Sequence, residues 1–158
     1  MPKRKSWREK LADNKDLPKV VPITGKMRSR WGNGTVAIPA PREVDAIMKR
    51  VPFGQLITIN EIRVLIARKH GASIGCPITT GIFAWIAAHA AEEAALDGGT
   101  KITPYWRTLK SNGELNPKYP GGVAKLKKRL QAEGHRVVTK RKRQVVADYE
   151  NHLCALRT

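Results

Sequence analysis

At 158 residues and 17.6 kDa the chain suits one globular domain with modest extensions, and a hydrophobic content of 41% excludes wholesale disorder. Thirty Lys and Arg against thirteen Asp and Glu give a net charge of +17, which points to a polyanionic partner, because cations that neutralise phosphates release condensed counterions. Cys76 and Cys154 are too few for a secreted disulfide scaffold and are expected as reduced thiols. The basic start MPKRKSWREK has no apolar run behind it, so no secretory signal is expected. The longest apolar stretch, residues 82–91, is too short to span a bilayer. Composition therefore predicts a soluble cytoplasmic protein, associated with the nucleoid and without a membrane partner.

In chain order, residues 1–5 read as a basic tail. Ser6 with Glu9 forms a capping box and predicts a short helix to residue 12. An irregular stretch to Pro41 follows, broken by Pro18, Pro22, Pro39 and the Gly32-Asn33-Gly34 turn. Val44, Ile47 and Met48 recur at helical spacing over residues 42–51. After the Pro52-Phe53-Gly54 turn, Thr58 and Glu61 form a second capping box, opening a helix to His70 whose Ile62, Leu65 and Ile66 face inward. Thr79 or Thr80 caps a further helix to about Leu96, stopped by Gly98-Gly99. Two helices across an irregular connection are compatible with a helix-turn-helix variant.

Residues 100–120 read as loop. A helix over 122–133 places Val123, Leu126 and Leu130 inward and Lys125, Lys127, Lys128 and Arg129 largely outward. Val137-Val138 and Val145-Val146 predict a hairpin whose tip is Lys140, Arg141, Lys142 and Arg143, and a short helix is expected over 148–156. Residues 101–143 hold thirteen Lys and Arg against Glu114 and Glu133, a net +11, whereas residues 71–99 hold no Lys or Arg and carry −3. The polyanion should meet the first region and the basic N-terminal arm. The competing reading is that these lysines are solvated faces.

Four motifs follow one another: Pro104-Tyr105-Trp106-Arg107, Ser111-Asn112-Gly113, Tyr119-Pro120-Gly121-Gly122 and Glu133-Gly134-His135-Arg136. Their order and spacing resemble the active-site region of the O-6-alkylguanine-DNA alkyltransferase family: Pro-Cys-His-Arg, a small-residue turn, a Tyr-Ser-Gly-Gly loop and a Glu-Gly-His-Arg end. Pro52-Phe53-Gly54 with its capped helix is similar to that family's opening to its winged helix-turn-helix. The similarity spans roughly residues 41–138. It implies an α/β, mostly α, winged helix-turn-helix domain over residues 41–158 with a C-terminal hairpin, preceded by a basic N-terminal arm, residues 1–40, with a short helix. It implies no cofactor.

In that family a cysteine thiolate takes the alkyl group from a flipped guanine, activated by a histidine that a glutamate orients, which is nucleophilic transfer by a low-pKa thiol. Tyr105 stands at the cysteine position and Trp106 at the histidine position, while Glu133 matches the orienting glutamate. A phenol is a poor acceptor at neutral pH and an indole cannot act as a base. The chain therefore resembles the alkyltransferase-like subgroup, which binds damage without repairing it, and is expected not to be an enzyme. That subgroup usually keeps the histidine, and this chain does not. The family's arginine finger is also missing: Gly81 falls at its position, and no Arg lies between Gly71 and Gly99.

Expected partners are double-stranded DNA, alkylated or otherwise modified, and other repair proteins. Tyr105 and Trp106 are candidates for an aromatic pocket around a base or for plugs of the former active site. Arg107 suits a structural role. Tyr119, Gly121 and Gly122 form a pocket-side loop or simply start a helix. Lys125, Lys128, Arg129 and Lys140 to Arg143 are the candidate DNA-binding cations. Phe83 or Trp85 could intercalate or belong to the core. Two rivals stay open: an enzyme using a displaced acceptor, Cys76, ahead of Pro77, and a general DNA- or RNA-binding module without damage selectivity. The four histidines show no metal-ligand spacing.

Overall fold

A computed structural model describes residues 4–156, so the tail expected over residues 1–5 lies partly outside them. Helix α1 (Trp7–Ala12) opens on the predicted capping box: the Glu9 amide donates to Ser6 Oγ at 3.1 Å and the Ser6 amide donates to the Glu9 carboxylate at 3.2 Å. Within the stretch expected to be irregular, strand β1 (Lys19–Pro22) pairs antiparallel with β2 (Thr35–Ile38), Lys19 opposite Ile38. A 3-10 turn (Gly25–Met27) and helix α2 (Arg28–Trp31) join them. Helix α3 (Pro41–Lys49) buries Val44, Ile47 and Met48, as their spacing predicts, and its Pro at the first position suits a helix start.

Strand β3 (Ile57–Thr58) leads into α4 (Ile59–His70), which buries Ile62, Leu65 and Ile66. Its predicted capping box is replaced: the Thr58 hydroxyl donates to the Glu61 carboxylate and caps no backbone amide. Gly71, in the left-handed region at φ 63°, ends the helix as a bulkier residue could not do without strain. Strand β4 (Ile74–Gly75) pairs parallel with β2, completing a three-stranded sheet in the order β1-β2-β4. This is why β1 and β2 read as irregular: four-residue strands have little periodicity, and their third partner lies far along the chain. Gly75 is needed because a Cβ there would collide with the Arg63 backbone, where β4 crosses α4.

Helix α5 (Pro77–Leu96) begins before Thr79, the earliest cap expected, because Pro77 brings a pre-set φ and no amide to satisfy. Its alanine stripe, Ala84, Ala87, Ala88 and Ala91, is buried and lets α3 and α4 approach closely. A 3-10 turn (Tyr105–Arg107) precedes β5 (Thr108–Leu109), parallel to β3. Helix α6 (Gly122–Ala132) buries Leu126 and Leu130, and β6 (Val137–Lys140) with β7 (Arg143–Val146) form the expected hairpin. Arg141 and Lys142 make its two-residue turn with φ of 48° and 68°, the sign a tight hairpin demands. The terminal helix expected over 148–156 is instead a 3-10 turn (Tyr149–His152). Leu56 takes the backbone that would have continued it, donating to the His152 carbonyl and accepting from the Cys154 amide, both at 2.8 Å.

One large apolar cluster joins α3, α4, α5 and α6, and a smaller one holds Ile23, Val36 and Cys76 under Met27 and Trp31. Among the described residues, no helix is long and apolar enough to cross a membrane.

Candidate functional site

Two of the four motifs, together with the Pro52-Phe53-Gly54 turn, meet at Glu133, at the end of α6. Its carboxylate accepts from Trp106 Nε1 at 2.6 Å, from Arg107 Nε at 2.9 Å and from the Gly54 amide at 2.9 Å. Arg107 also donates to the Val51 carbonyl at 2.7 Å, tying the 3-10 turn to the end of α3. Burial pushes the Glu133 carboxyl up, but the Arg107, Trp106 and Gly54 donors outweigh it and hold the group below the usual glutamate range. The result is a fixed carboxylate with an indole donor on it. An indole N–H donates and cannot accept, so the pair cannot relay a proton.

Tyr105 is fully buried. Its hydroxyl donates to Glu92 of α5 at 2.9 Å, and Lys125 donates to the other oxygen of Glu92 at 2.5 Å. Its ring meets Trp106 and Tyr119 edge-on, at centroid distances of 5.4 and 6.1 Å. Burial, then the Glu92 hydrogen bond and charge, push the phenol well above its ordinary value, so no phenolate forms near neutrality. Tyr105 is therefore not at the mouth of a base-sized pocket. The Glu92 carboxylate and two aromatic edges hold the ring inside, where a base cannot stack on it. Tyr119 is likewise buried, and Gly121 and Gly122 stand at the start of α6 with φ of 80° and 69°, a backbone that favours glycine.

The candidate cations fall into separate places. Arg129 lies over the Trp106 ring, its guanidinium carbon 4.2 Å from the centroid, and Lys128 is exposed. Trp106, Arg107 and Arg129 line a cleft of about 530 Å³ with Lys49 and Lys101, and no carboxylate lines it. Lys140, Arg141 and Arg143 line a second cleft, of about 690 Å³, facing Asp148, Tyr149 and Glu150. Arg143 sits 3.5 Å from Glu114, whereas Lys140, Arg141 and Lys142 are exposed around the hairpin tip. Lys125, expected largely outward, is half-buried against Glu92.

On α5, Trp85 donates to the Lys118 carbonyl at 3.2 Å and takes the edge of Trp7 at 4.8 Å. His89 stacks on Trp7 at 4.4 Å. Trp85 is thus covered by α1 and Phe83 packs against the core, so neither stands ready to intercalate. Cys76, the displaced-acceptor candidate, is buried in the smaller apolar cluster, away from Glu133 and Tyr105. Trp7, His89, Lys49 and Lys101 escaped the sequence reading. Trp7 lies in the short helix that the capping box predicts, but nothing near it in sequence marks its partners on α5, and the lysines have no local signature. Among the described residues no group of three or more His, Cys, Asp or Glu could hold a metal ion.

No protein-family model matches this chain, and no curated protein matches it. Two solved structures are similar. One is of S. pombe Atl1 in complex with damaged DNA containing O6-carboxymethylguanine, with TM-score 0.53 and 20% identity over 73% of this chain and 94% of that one. The other is of S. pombe ATL in complex with DNA, with TM-score 0.53, 19% identity and the same coverage. At this identity the likeness is one of fold: the chain has the mixed α/β, winged helix-like architecture that the motifs imply.

Proposed function

We propose that the protein binds double-stranded DNA without chemical transfer, as a relative of the alkyltransferase-like group, and that it selects modified bases for delivery to other repair proteins. The observation that carries this reading is the Trp106–Glu133 hydrogen bond at 2.6 Å. It keeps the hydrogen-bonded frame of an alkyl-transfer site while supplying neither thiol nor base. The fold likeness to two DNA complexes supports the same reading. Lys128, Arg129, Lys101 and the hairpin Lys140 to Arg143 are the groups to meet phosphates, being exposed or lining clefts. Residues 1–40 add cations to the domain of residues 41–158, into which β1 and β2 are built through the sheet with β4. Incubation with methylated-guanine DNA followed by intact-mass measurement should show no added methyl group. A stoichiometric adduct, on Cys76 or elsewhere, would overturn the non-catalytic reading. Affinity should fall steeply as salt rises, and a flat response would remove phosphate contact as its basis.

The burial of Tyr105 favours a second reading, a general DNA-binding module without damage selectivity. Equal affinity for modified and unmodified duplexes would establish it over the first.

A further inference from the structure

We propose that Ile78 and Ile82 form an apolar wedge that enters a base step of duplex DNA, flanked by phosphate-binding cations of the 24–31 segment and Arg63. This rests on the DNA-binding reading and names the part of the surface that deforms the duplex. Ile78 and Ile82 are 58% and 45% exposed. They lie one turn apart on α5, hence on one face, while Thr80, Ala84 and Ala87 of the same helix are buried. Exposed apolar residues scattered singly are ordinary, but here two branched aliphatics stand side by side. Gly81 lies between them, and a Cβ built there would meet nothing, so the pair protrudes from bare backbone that a sugar-phosphate strand can approach.

The surroundings choose the occupant. No Asp or Glu occurs from Ile62 to Ala91, nor from Leu17 to Arg42, where Lys19, Lys26, Arg28, Arg30 and Arg42 fall. The two acid-free stretches meet at the start of α5. The Cys76 amide donates to the Ala37 carbonyl at 2.9 Å, and the Cys76 side chain packs in the small cluster beneath Met27 and Trp31. Those two apolar residues turn inward and leave Lys26, Arg28 and Arg30 exposed. From the other side, Arg63 donates to the Gly75 carbonyl at 2.9 Å, two residues before Pro77. An apolar pair of this size is too small for a stable protein interface, which buries on the order of 1,200 Å² or more. With cations and no carboxylate in the two stretches that meet there, it suits a polyanion whose interior is apolar. Inserted aliphatic side chains that partly unstack a base step and bend the duplex are the physical precedent.

The test uses the full chain and a short duplex with 2-aminopurine at its centre and a fluorophore pair at its ends. Wild-type protein should raise 2-aminopurine fluorescence and shorten the end-to-end distance. The double variant Ile78→Ala, Ile82→Ala should lose both signals with its melting temperature unchanged, since the substituted side chains are exposed. Leu96→Ala, at the other end of α5 beside Asp97, should behave as wild type. If the double variant melts early, each single variant is read instead. Signals that persist in the variants, or a wild-type protein that binds without unstacking, overturn the wedge and leave DNA binding intact. If no duplex binds at low salt, the DNA-binding reading fails and the wedge with it.

Discussion

The two halves of α5 obey opposite rules. In the C-terminal half every carboxylate is fastened, Glu92 to Tyr105 and Lys125 and Glu93 to Arg8 and the Trp7 amide, as is Asp97 just past the helix end, to Arg8. There the helix is a rail on which α1 and the Tyr105–Arg107 turn are mounted. The N-terminal half has no ionisable side chain before His89, exposes Ile78 and Ile82, and is bordered by unopposed cations. One helix thus divides the work, with charge pairing building the molecule at one end and charge left unpaired around the other. The total charge of +17 is a poor guide to the binding surface, because paired cations such as Arg8, Arg107 and Lys125 are committed to the fold.

The largest effect that can break this comparison is Tyr105→Ala. It removes a fully buried ring and one of the partners of Glu92, and should cost about 3–5 kcal/mol, on the order of 10 °C in melting temperature at this chain length. Whatever affinity is lost should be lost equally on modified and unmodified duplexes. A selective loss on modified DNA with unchanged melting would return Tyr105 to a base pocket.

Next in size is the response to acid. Although burial raises the Glu92 carboxyl, its Lys125 and Tyr105 hydrogen bonds hold it below the usual glutamate range in the folded protein. A depressed folded value means that the stabilisation is complete above the unfolded glutamate value and is lost as pH falls through the folded one. Thermal melts from neutrality downward should therefore hold level until the carboxylate range and then decline, and Glu92→Gln should flatten that decline. An equally steep decline in the variant would mean that other carboxylates govern acid stability.

The smallest effect belongs to the arm. Trp7→Ala removes the stack on His89 and the edge contact with Trp85, a loss of about 1 kcal/mol beyond area burial. Global melting should move by a few degrees at most, while backbone amides of α1 exchange with solvent faster. If α1 protection is unchanged, the Arg8 ion pairs alone hold the arm.

Much of the helical frame was legible along the chain. Val44 and Met48, Ile62 and Ile66, and Leu126 and Leu130 each announce a buried face by spacing alone, and Ser6 with Glu9 announces a helix start. The motif around Pro104 was legible too, because it is read from residue identity alone. What stayed hidden was what each site residue touches. Nothing near Tyr105 in sequence predicts that Glu92, thirteen residues earlier on another element, would accept its hydroxyl, or that Gly54 and Arg107 would share Glu133 with Trp106.

By itself, the sequence of this protein determined the local helices, the hairpin with its basic tip, the excess of cations and the identities of the residues in the Pro104 motif. These follow from side-chain identity and from periodicities of two to four residues, which act over one or two turns of chain. Only the tertiary structure decided that β1 and β2 become a sheet, that Tyr105 is sealed inside, and which cations remain free. A ladder needs a partner strand, a buried phenol needs an acceptor, and a cation is neutralised only by a carboxylate that folding brings within a few ångströms. In each case that partner comes from a distant part of the chain.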